Sequence, residues 1–234
     1  MTSRHDDGRP RVEGWELVEW LSVGPYGSPL KAFLALLGTW TVMVVGGAVR
    51  DFTWSGPAAL VRDIDLMVDG DRSEVFAALD ALAPHRPTWF GNRTYLLPDN
   101  RTIDVFPVAD ALGRRSTIEG AFISMDFSMN AVGVDLRTGV LHDIVGGIED
   151  IGRRRLRPLV HGWALDDRIA AQRLLRACDF VDRLEFQSVE WGMLDAAAHD
   201  LASRSPGEHE VELSVYWERR TSAGCRAAGS GPQG

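Results

Sequence analysis

The sequence predicts an α+β domain with a mixed central sheet flanked by helices, followed by a short helical extension. Short apolar runs alternate with helical stretches along the chain, which is typical of a mixed helix-and-strand domain. Residues 94–108 and 131–145 each have the pattern of two strands joined by a turn. With 45% hydrophobic residues in a chain of 234, there is enough apolar material for a substantial core.

The first half of the chain predicts two helices and two strands. Residues 30–38 carry apolar side chains on more than one face and end in a glycine, which predicts a helix and its stop. Branched and aromatic residues at 39–45 predict a buried strand, and 64–68 predict a second one. Residues 73–83 predict a helix with Ser73 as its N-cap.

The second half predicts two strand pairs and a long helix. Pro98, Asp99 and Asn100 supply the turn of the first pair, and residues 137–139 supply the turn of the second. The pattern is helical again from 165 to 184.

Composition excludes several classes of protein. No stretch of about 18 apolar residues is long enough to span a membrane, and the polar first fourteen residues are unlike a secretory leader. We therefore expect a cytoplasmic protein without a membrane partner. The formal charge of -8 argues against a generally basic surface for nucleic acid, although it leaves room for a local patch. Cys178 and Cys225 lie far apart, which predicts neither a disulfide framework nor a zinc site.

Acidic residues accompany two of the predicted strands. Asp63 and Asp65 project to the same face because side chains alternate along a strand, and Asp104 is expected to bring a third carboxylate on an adjacent strand. Converging carboxylates repel one another unless a cation lies between them, and their oxygens suit Mg²⁺. The cluster predicts a two-metal site for phosphoryl or nucleotidyl transfer, with two Mg²⁺ ions or Mn²⁺ as a substitute. The alternative is a solvent-facing strand edge.

A glycine pair follows the first predicted strand. Gly46 and Gly47 precede a segment that can start a helix, whose free N–H groups bind phosphate oxygens. Arg50 lies in the first turn of that helix and is expected to add a charge-assisted contact to a triphosphate. A glycine pair alone also fits a plain turn, but together with the acidic cluster it predicts a nucleoside triphosphate (NTP) site.

These motifs resemble a known family. GGAVRD (46–51) followed by RDIDLMV (62–68) is similar to the opening motif of the class II branch of the DNA polymerase β nucleotidyltransferase superfamily, which includes bacterial CCA-adding enzymes and bacterial poly(A) polymerases. Later segments resemble further motifs of that family in the same order: MDFSMNAVGVDL (125–136), LHDIVGGIEDI (141–151), RRLRPL (154–159) and DDRIAAQRLLRACDFVDRLEF (166–186).

The resemblance implies a polymerase β-like nucleotidyltransferase domain and a role for each matching residue. It assigns catalysis and metal binding to Asp63, Asp65 and Asp104. It assigns nucleotide contacts to Gly46, Gly47, Arg50, Asp126, Asn130, Asp167, Arg173 and Arg176. For Asp126 and Asn130, capping of a helix or turn is the alternative interpretation.

Two departures from the family affect the nucleotide contacts. Ser124 and Met125 stand where the family has two arginines. The family also has an acid and an arginine three residues apart on the helix that pairs with the incoming base, whereas Asp167 and Arg173 are separated by almost one additional helical turn. Neither CTP nor ATP can therefore be inferred from the family.

The predicted division of the chain follows from the resemblance. It comprises a polar N-terminal segment (1–22), a nucleotidyltransferase catalytic domain (23–160), a short helical neck-like region (161–205) and a disordered tail (206–234). The tail prediction rests on the low apolar content of its last residues.

The predicted function is metal-dependent transfer of an NMP unit from an NTP to an acceptor oxygen, with release of pyrophosphate. RNA-handling members of the family continue into long helical regions, so a small-molecule acceptor is preferred over the alternative, nucleotide addition to an RNA or tRNA 3′ end. The only compact basic element is Arg153 to Arg157, for which a solvated charged run is the alternative interpretation. A catalytically silent nucleotide-binding module is the remaining alternative.

Overall fold

The computed structural model describes residues 13–88, 91–110, 117–160, 163 and 166–229. Within them the chain forms a seven-stranded mixed sheet and a small two-stranded sheet. The strands of the large sheet are β1 (Thr41–Val45), β2 (Asp63–Asp69), β3 (His85–Pro87), β4 (Arg93–Leu96), β5 (Thr102–Pro107), β6 (Gly133–Asp135) and β7 (Leu141–His142). The small sheet pairs β8 (Arg155–Leu156) with β9 (Ser188–Val189).

Helices flank the sheet, and the predicted α+β class with a mixed central sheet is confirmed. The described helices are α1 (Gly14–Val23), α2 (Gly27–Leu36), α3 (Gly47–Ser55), α4 (Arg72–Asp80), α5 (Ile118–Ile123), α6 (Gly147–Gly152), α7 (Asp167–Arg183), α8 (Trp191–Arg204) and α9 (Glu210–Gly229). Within the described residues, no helix combines the length and apolar character needed to cross a membrane.

The large sheet has the strand order β3-β4-β5-β2-β1-β6-β7. Its neighbours run antiparallel except for β2 and β5, which are parallel. Val44, Leu66 and Val105 lie in register on three adjacent strands and bury one face in the main core. The opposite face carries Met43 and Met67, which pack with residues of α5 in a second core cluster. The remainder of that second face holds the acidic residues considered below.

Turn residues account for the strand pairs predicted from the sequence. Asn100 has φ 64° in the turn between β4 and β5, and Gly139 has φ 68° in the turn between β6 and β7. Gly38, with φ 56°, follows the end of α2, as the predicted helix stop requires. The predicted cap of α4 is wrong by two residues: Asp71, not Ser73, is the N-cap, and its carboxylate accepts a hydrogen bond from the Ser73 N–H at 2.8 Å.

Helix α1 corrects the predicted polar N-terminal segment. Leu17 and Leu21 are buried in the main core, so this helix packs with the sheet instead of preceding the domain. At Gly14 an added Cβ would lie 2.2 Å from the carbonyl oxygen of Gly139, so the helix and the β6–β7 turn approach as closely as glycine allows. Residues 1–12 lie outside the described part of the chain.

Helix α9 corrects the predicted disordered tail. Tyr216 is fully buried, and its hydroxyl donates a hydrogen bond of 2.7 Å to Asp195 on α8. Leu213 and Trp217 pack against the main core on the same side of the helix. These few apolar contacts hold the helix in place although the surrounding sequence is polar. Residues 230–234 lie outside the described part.

A buried aspartate joins the segments that precede β6 and follow β7. Asp150 on α6 is fully buried and accepts hydrogen bonds from the hydroxyl of Ser128, from Arg155 and, at 2.8 Å, from Nε of Arg157. Arg157 also donates to the carbonyl of Val145 at 2.6 Å. Since a buried charge without partners is strongly unfavourable, these donors are needed for the aspartate to remain inside.

Candidate active site

The sheet register brings the predicted acidic residues to one face. Asp65 on β2 lies directly beside Asp104 on the parallel strand β5. Asp63 is two residues earlier on β2, so its side chain projects to the same face. The structure therefore places all three carboxylates together, as the alternation along the strand predicts.

Burial and mutual repulsion disfavour the charged forms of Asp65 and Asp104. Burial, followed by the nearby carboxylate of Asp104, raises the pKa of Asp65 to about 7. Burial likewise raises the pKa of Asp104; the charge of Asp63 acts in the same direction, against a hydrogen bond from Thr94. A cation bound here would remove the repulsion and return both groups to their charged forms.

The acids fit a metal that is shared with a substrate. Oδ1 of Asp104 is buried and has no hydrogen-bond partner among the described residues, which leaves a carboxylate oxygen available as a ligand. Within the described part of the chain, no group of three or more acidic, histidine or cysteine side chains is arranged to hold a metal unaided, so the predicted three-carboxylate set does not form a complete metal cage. Mg²⁺ commonly takes one or two carboxylates and completes its shell with substrate phosphates and water, which this arrangement allows.

Gly46 has a conformation and an environment that require glycine. Its φ is 71°, and an added Cβ would lie 2.7 Å from Oδ2 of Asp65. Its N–H donates to the carbonyl of Asn130 at 3.1 Å, which fixes the turn after β1. Gly47 is less constrained, because an added Cβ would make only an ordinary contact of 3.5 Å with Arg50. The close backbone approach predicted for the pair therefore applies to Gly46.

Helix α3 begins beside the acidic residues. Gly46 is its N-cap, and no side chain caps this end. The N–H groups of the first helical turn have no partner within the helix, and the helix dipole favours negative charge at this end. The start of α3 next to Asp65 is therefore an uncapped helix N-terminus, the kind of site at which anions bind.

A cavity of about 330 Å³ opens from this point towards α5 and α7. That volume lies at the lower end of the range of small-molecule sites. Seven of the predicted site residues line it: Gly46, Gly47, Asp65, Asp126, Asn130, Arg173 and Arg176. Asp63 and Asp104 lie beside Asp65 on the sheet but do not contribute to the described cavity wall.

One face of α7 forms the far wall of the cavity. Ile169, Gln172, Arg173 and Arg176 line it, with the spacing that places residues on one side of a helix. Arg173 donates from Nη2 to the carbonyl of Ser124 at 2.7 Å, while its buried Nη1 has no partner in the described structure. Burial lowers the pKa of Arg173 to about 10, so the side chain remains positively charged at neutral pH. Gln172 was missed from the sequence, although its position on this helical face could have indicated it.

Asp126, Asn130 and Arg50 form a chain of hydrogen bonds behind the cavity. Asn130 donates to Asp126 at 2.9 Å and accepts from Nη1 of Arg50 at 3.0 Å. Burial tends to raise the pKa of Asp126, but Arg176, 3.2 Å away, and the Asn130 hydrogen bond together lower it. Asp126 and Asn130 thus line the cavity and also brace it, so the ligand-contact and capping interpretations both describe part of their environment.

Arg50 corrects a predicted phosphate contact. Its guanidinium pairs with Asp51 and Asn130 and lies 5.5 Å from the ring of Trp54 and 5.4 Å from that of Phe180. The residue is buried and does not contribute to the described cavity wall. Because its polar groups are already engaged, Arg50 supports the turn at Gly46 and Gly47 from behind instead of facing the cavity.

Asp167 corrects the predicted base contact. It pairs with Arg204 and accepts a hydrogen bond from Ser205, so it joins α7 to the end of α8. Asp167 is about half a turn around the helix from Arg176, which does line the cavity. The position three residues before Arg173 is Ala170, so an acid at that spacing is absent from this helix.

The predicted basic element is largely neutralised within the chain. Its arginines pair with acids: Arg153 with Glu149, Arg154 with Glu185, and both Arg155 and Arg157 with Asp150. The solvated or structural interpretation of this charged run therefore describes it better than a nucleic-acid patch does.

We expect Gly46→Ala to weaken NTP binding at least about tenfold, because the methyl group would be strained at this φ and would displace Asp65. Calorimetric titration with NTP measures the effect. Gly38→Ala is the matched control: Gly38 has φ 56°, but an added Cβ there meets nothing within 4 Å. Equal NTP affinity in the two variants would show that the contact with Asp65 is unimportant.

No protein-family profile matches the chain. Among curated proteins it is similar to the CC-adding tRNA nucleotidyltransferase of Deinococcus radiodurans, with 36% identity over 158 residues that cover 61% of this chain and 40% of that protein. The match therefore spans less than half of the length of this relative.

The chain is also similar to solved structures of CCA-adding enzymes. The Thermotoga maritima CCA-adding enzyme in complex with tRNA matches with a TM-score of 0.66 and 26% identity, covering 93% of this chain and 53% of that one. A CCA-adding enzyme in complex with CTP matches with a TM-score of 0.62 and 25% identity, covering 93% and 54%.

Proposed function

We propose that this chain, which has the head-domain fold of CCA-adding, poly(A) polymerase-like nucleotidyltransferases, adds nucleotides to the 3′ end of an RNA. The family resemblance predicted from the motifs is confirmed by the curated relative and the solved structures. The chain covers about half of the length of those structures, so the acceptor and the activity are inferred from the site and from what the relatives act on.

One observation carries the proposal. Asp65 lies next to the N-terminus of α3 and lines a cavity with cationic side chains on its far wall, and Asp104 lies beside Asp65 on the sheet. Acidic ligands for a cation beside a phosphate-binding helix end are the two parts that nucleotidyl transfer requires. A silent nucleotide-binding module would gain nothing from carboxylates that repel each other, so we favour an enzyme over that alternative.

The reaction that fits this site is an in-line displacement at the α-phosphorus of an NTP. The acceptor oxygen forms a bond to the α-phosphorus, the bond from that phosphorus to the bridging oxygen breaks, and pyrophosphate leaves. Mg²⁺ held by the aspartates would lower the pKa of the attacking hydroxyl and stabilise charge on the leaving oxygen. Asp104, whose pKa burial raises, is suitably placed to receive the proton of that hydroxyl.

The cavity suggests how the nucleotide lies. Its triphosphate would lie at the start of α3, and its base would extend towards Gln172 and Arg173 on α7. The partnerless Nη1 of Arg173 supplies a hydrogen-bond donor, and the Gln172 amide supplies both a donor and an acceptor. We propose CTP as the substrate because the curated relative is a CC-adding enzyme.

RNA is better supported as the acceptor than a small molecule is. The relative acts on tRNA, and a solved structure with the same fold contains tRNA, whereas no comparison supports the small-molecule acceptor preferred from the sequence. The small-molecule preference rested on the short region after residue 186 and on the net charge of -8, and neither property decides what binds at a single reactive end.

The decisive experiment offers labelled CTP or ATP, with Mg²⁺, to tRNA transcripts that lack the 3′-terminal CCA or end in CC. We expect CMP incorporation into the transcript lacking CCA, visible as a longer product on a denaturing gel. No incorporation with either nucleotide, together with NTP binding by calorimetry, would favour the silent module.

We expect this chain to bind bulk tRNA weakly, with a Kd above about 10 µM at physiological salt, because its compact arginine cluster is already paired with acids. Salt dependence grows with the number of phosphates that a protein neutralises, because each one releases counterions. A chain that neutralises few phosphates should therefore have an affinity that depends only weakly on salt. Filter binding across a salt series measures both quantities. Submicromolar, strongly salt-dependent binding would show that the chain has a basic surface that the ion pairs do not neutralise.

A further inference from the structure

A row of polar side chains crosses four adjacent strands on the face that carries the acids. Asp65 on β2 is in register with Asp104 on β5, Asp104 with Thr94 on β4, and Thr94 with Arg86 on β3. Residues directly opposite each other on neighbouring strands project to the same face. The row therefore leads from the acidic residues to an arginine at the edge of the sheet.

The members of this row differ in what they contact. Thr94 is buried, and its hydroxyl hydrogen-bonds to Asp104. Arg86 is exposed, and among residues with described positions it has no hydrogen-bond, ion-pair or ring partner. Because Arg86 lies opposite Thr94 and Thr94 lies opposite Asp104, its side chain projects to the face that carries Asp104.

The distance from Arg86 to the reaction centre suits a nucleic-acid backbone. Strands lie roughly 4.8 Å apart, so the Cα atoms of Arg86 and Asp104 are separated by two such spacings, or about 10 Å. An arginine side chain that extends over Thr94 can span much of this distance. Its guanidinium can then contact an anion that is covalently attached to a hydroxyl beside Asp104.

The strand order separates this arginine from the triphosphate. Gly46 and the start of α3 follow β1, which lies on the other side of β2 from β5. The order across the sheet is therefore phosphate-binding turn, Asp65, Asp104, Thr94 and Arg86. An NTP bound at the turn would fill the cavity, whose described wall includes neither Asp104, Thr94 nor Arg86, so this part of the row is left for the acceptor.

We propose that Arg86 binds the phosphodiester group of the terminal acceptor nucleotide, the one whose 3′-hydroxyl lies beside Asp104. The inference rests on the proposed function, because it assumes that the acceptor is a nucleic-acid end. A guanidinium suits this role, since it forms paired charge-assisted hydrogen bonds with phosphate oxygens.

The test measures CMP transfer to a tRNA acceptor for the wild-type chain and for Arg86→Ala. We expect the KM for the tRNA to rise about tenfold, with little change in the KM for CTP. Arg86→Lys should recover part of the loss because it retains the charge without the paired donors. Arg153→Ala is the control for net charge, since Arg153 is exposed and pairs with Glu149 away from the row.

A second acceptor identifies the group that Arg86 contacts. Its last phosphodiester is replaced by an uncharged methylphosphonate. This change should raise the KM of the wild type for the acceptor about as much as Arg86→Ala does. It should raise the KM of the variant little further. Equal sensitivity of the variant and the wild type to the methylphosphonate would overturn the proposal, and so would a rise in the KM for CTP instead.

Binding distinguishes this inference from the proposed function. Fluorescence anisotropy with a short labelled RNA that ends in a free 3′-hydroxyl measures acceptor affinity without turnover. RNA binding that depends on Arg86 in a chain that transfers no nucleotide would support the site and refute the proposed activity. No RNA binding by the wild type at RNA concentrations far above the weak Kd expected for bulk tRNA would overturn both.

Discussion

Asp65→Asn is expected to lower nucleotide transfer about a thousandfold or more, and Asp63→Asn is expected to act in the same direction. A divalent ion in a nucleotidyl-transfer site provides several kcal/mol of transition-state stabilisation, and each 1.4 kcal/mol corresponds to a factor of ten in rate. Asp65 lies beside Asp104 and lines the nucleotide cavity, so its carboxylate is the most central of the three. Single-turnover incorporation of labelled CMP at saturating Mg²⁺ measures the loss.

The fold should survive the Asp65→Asn substitution, and the pH dependence of stability provides the check. The pKa of Asp65 is about 7 in the folded chain and near 3.8 in the unfolded chain, so the folded chain retains a proton that the unfolded chain loses. Without metal, the free energy of unfolding therefore falls as the pH rises from about 4 to about 7. Asparagine removes this effect, so the variant should exceed the wild type in Tm at pH 8 in EDTA and match it near pH 4.

Asp69→Asn is the control for both measurements, because Asp69 is an exposed residue at the far end of the same strand. Its turnover and its pH profile should follow those of the wild type. Near-normal turnover of Asp65→Asn with Mg²⁺ present would refute the metal-binding role of this carboxylate.

Asp150→Ala should destabilise the chain by about 3 kcal/mol, the largest effect on stability that we expect from one substitution outside the apolar core. Asp150 is fully buried and accepts from Ser128, Arg155 and Arg157. Its removal leaves the buried Ser128 hydroxyl without this partner and frees two arginines. Because those arginines are partly exposed, water recovers some of the loss.

Urea unfolding followed by circular dichroism measures this difference. The control is Glu149→Ala, which breaks the exposed pair with Arg153 on the same helix and should change stability by less than about 1 kcal/mol. If the two variants lost similar stability, the buried network would contribute no more than a surface ion pair.

Local patterns predict the fold and the acidic part of the site well. Strand alternation is sufficient to place Asp63 and Asp65 on one face, and turn residues such as Asn100 and Gly139 mark the strand pairs. The pairing of Asp104 with Asp65 depends on the register of two strands that are distant in sequence. It was predicted because Asp104 stands alone between apolar neighbours, and the parallel register confirms their proximity.

The predictions that failed depended on tertiary contacts. Spacing within α7 cannot show which side of the helix faces the cavity, so Asp167 was assigned to the site although it binds Arg204 instead. Arg50 was predicted as a phosphate ligand because of its place in the first turn of α3. Its side chain is instead held by a hydrogen bond to Asn130 and by the ring of Phe180, which belong to distant segments. No sequence window contains both Arg50 and Asn130.

Helix α9 was missed for a related reason. Its C-terminal residues are small and polar, so average composition predicts disorder. Leu213, Tyr216 and Trp217 are nevertheless spaced to lie on one side of a helix, and this signal was available in the sequence. Whether such a weak pattern folds depends on a receiving surface, which α7 and α8 provide.

The aromatic and polar contacts of Arg50 have a consequence for how the site responds to a nucleotide. Immobilising a long side chain during binding costs about 0.5–1.5 kcal/mol, and Arg50 is already immobilised by Asn130, Asp51, Trp54 and Phe180. The turn at Gly46 and Gly47 is thus preorganised, and a ligand that bound there would not have to wait for it to rearrange. Phe180 belongs to α7, which also places Gln172 and Arg173 on the far wall of the cavity, so the turn and that wall are supported by one helix.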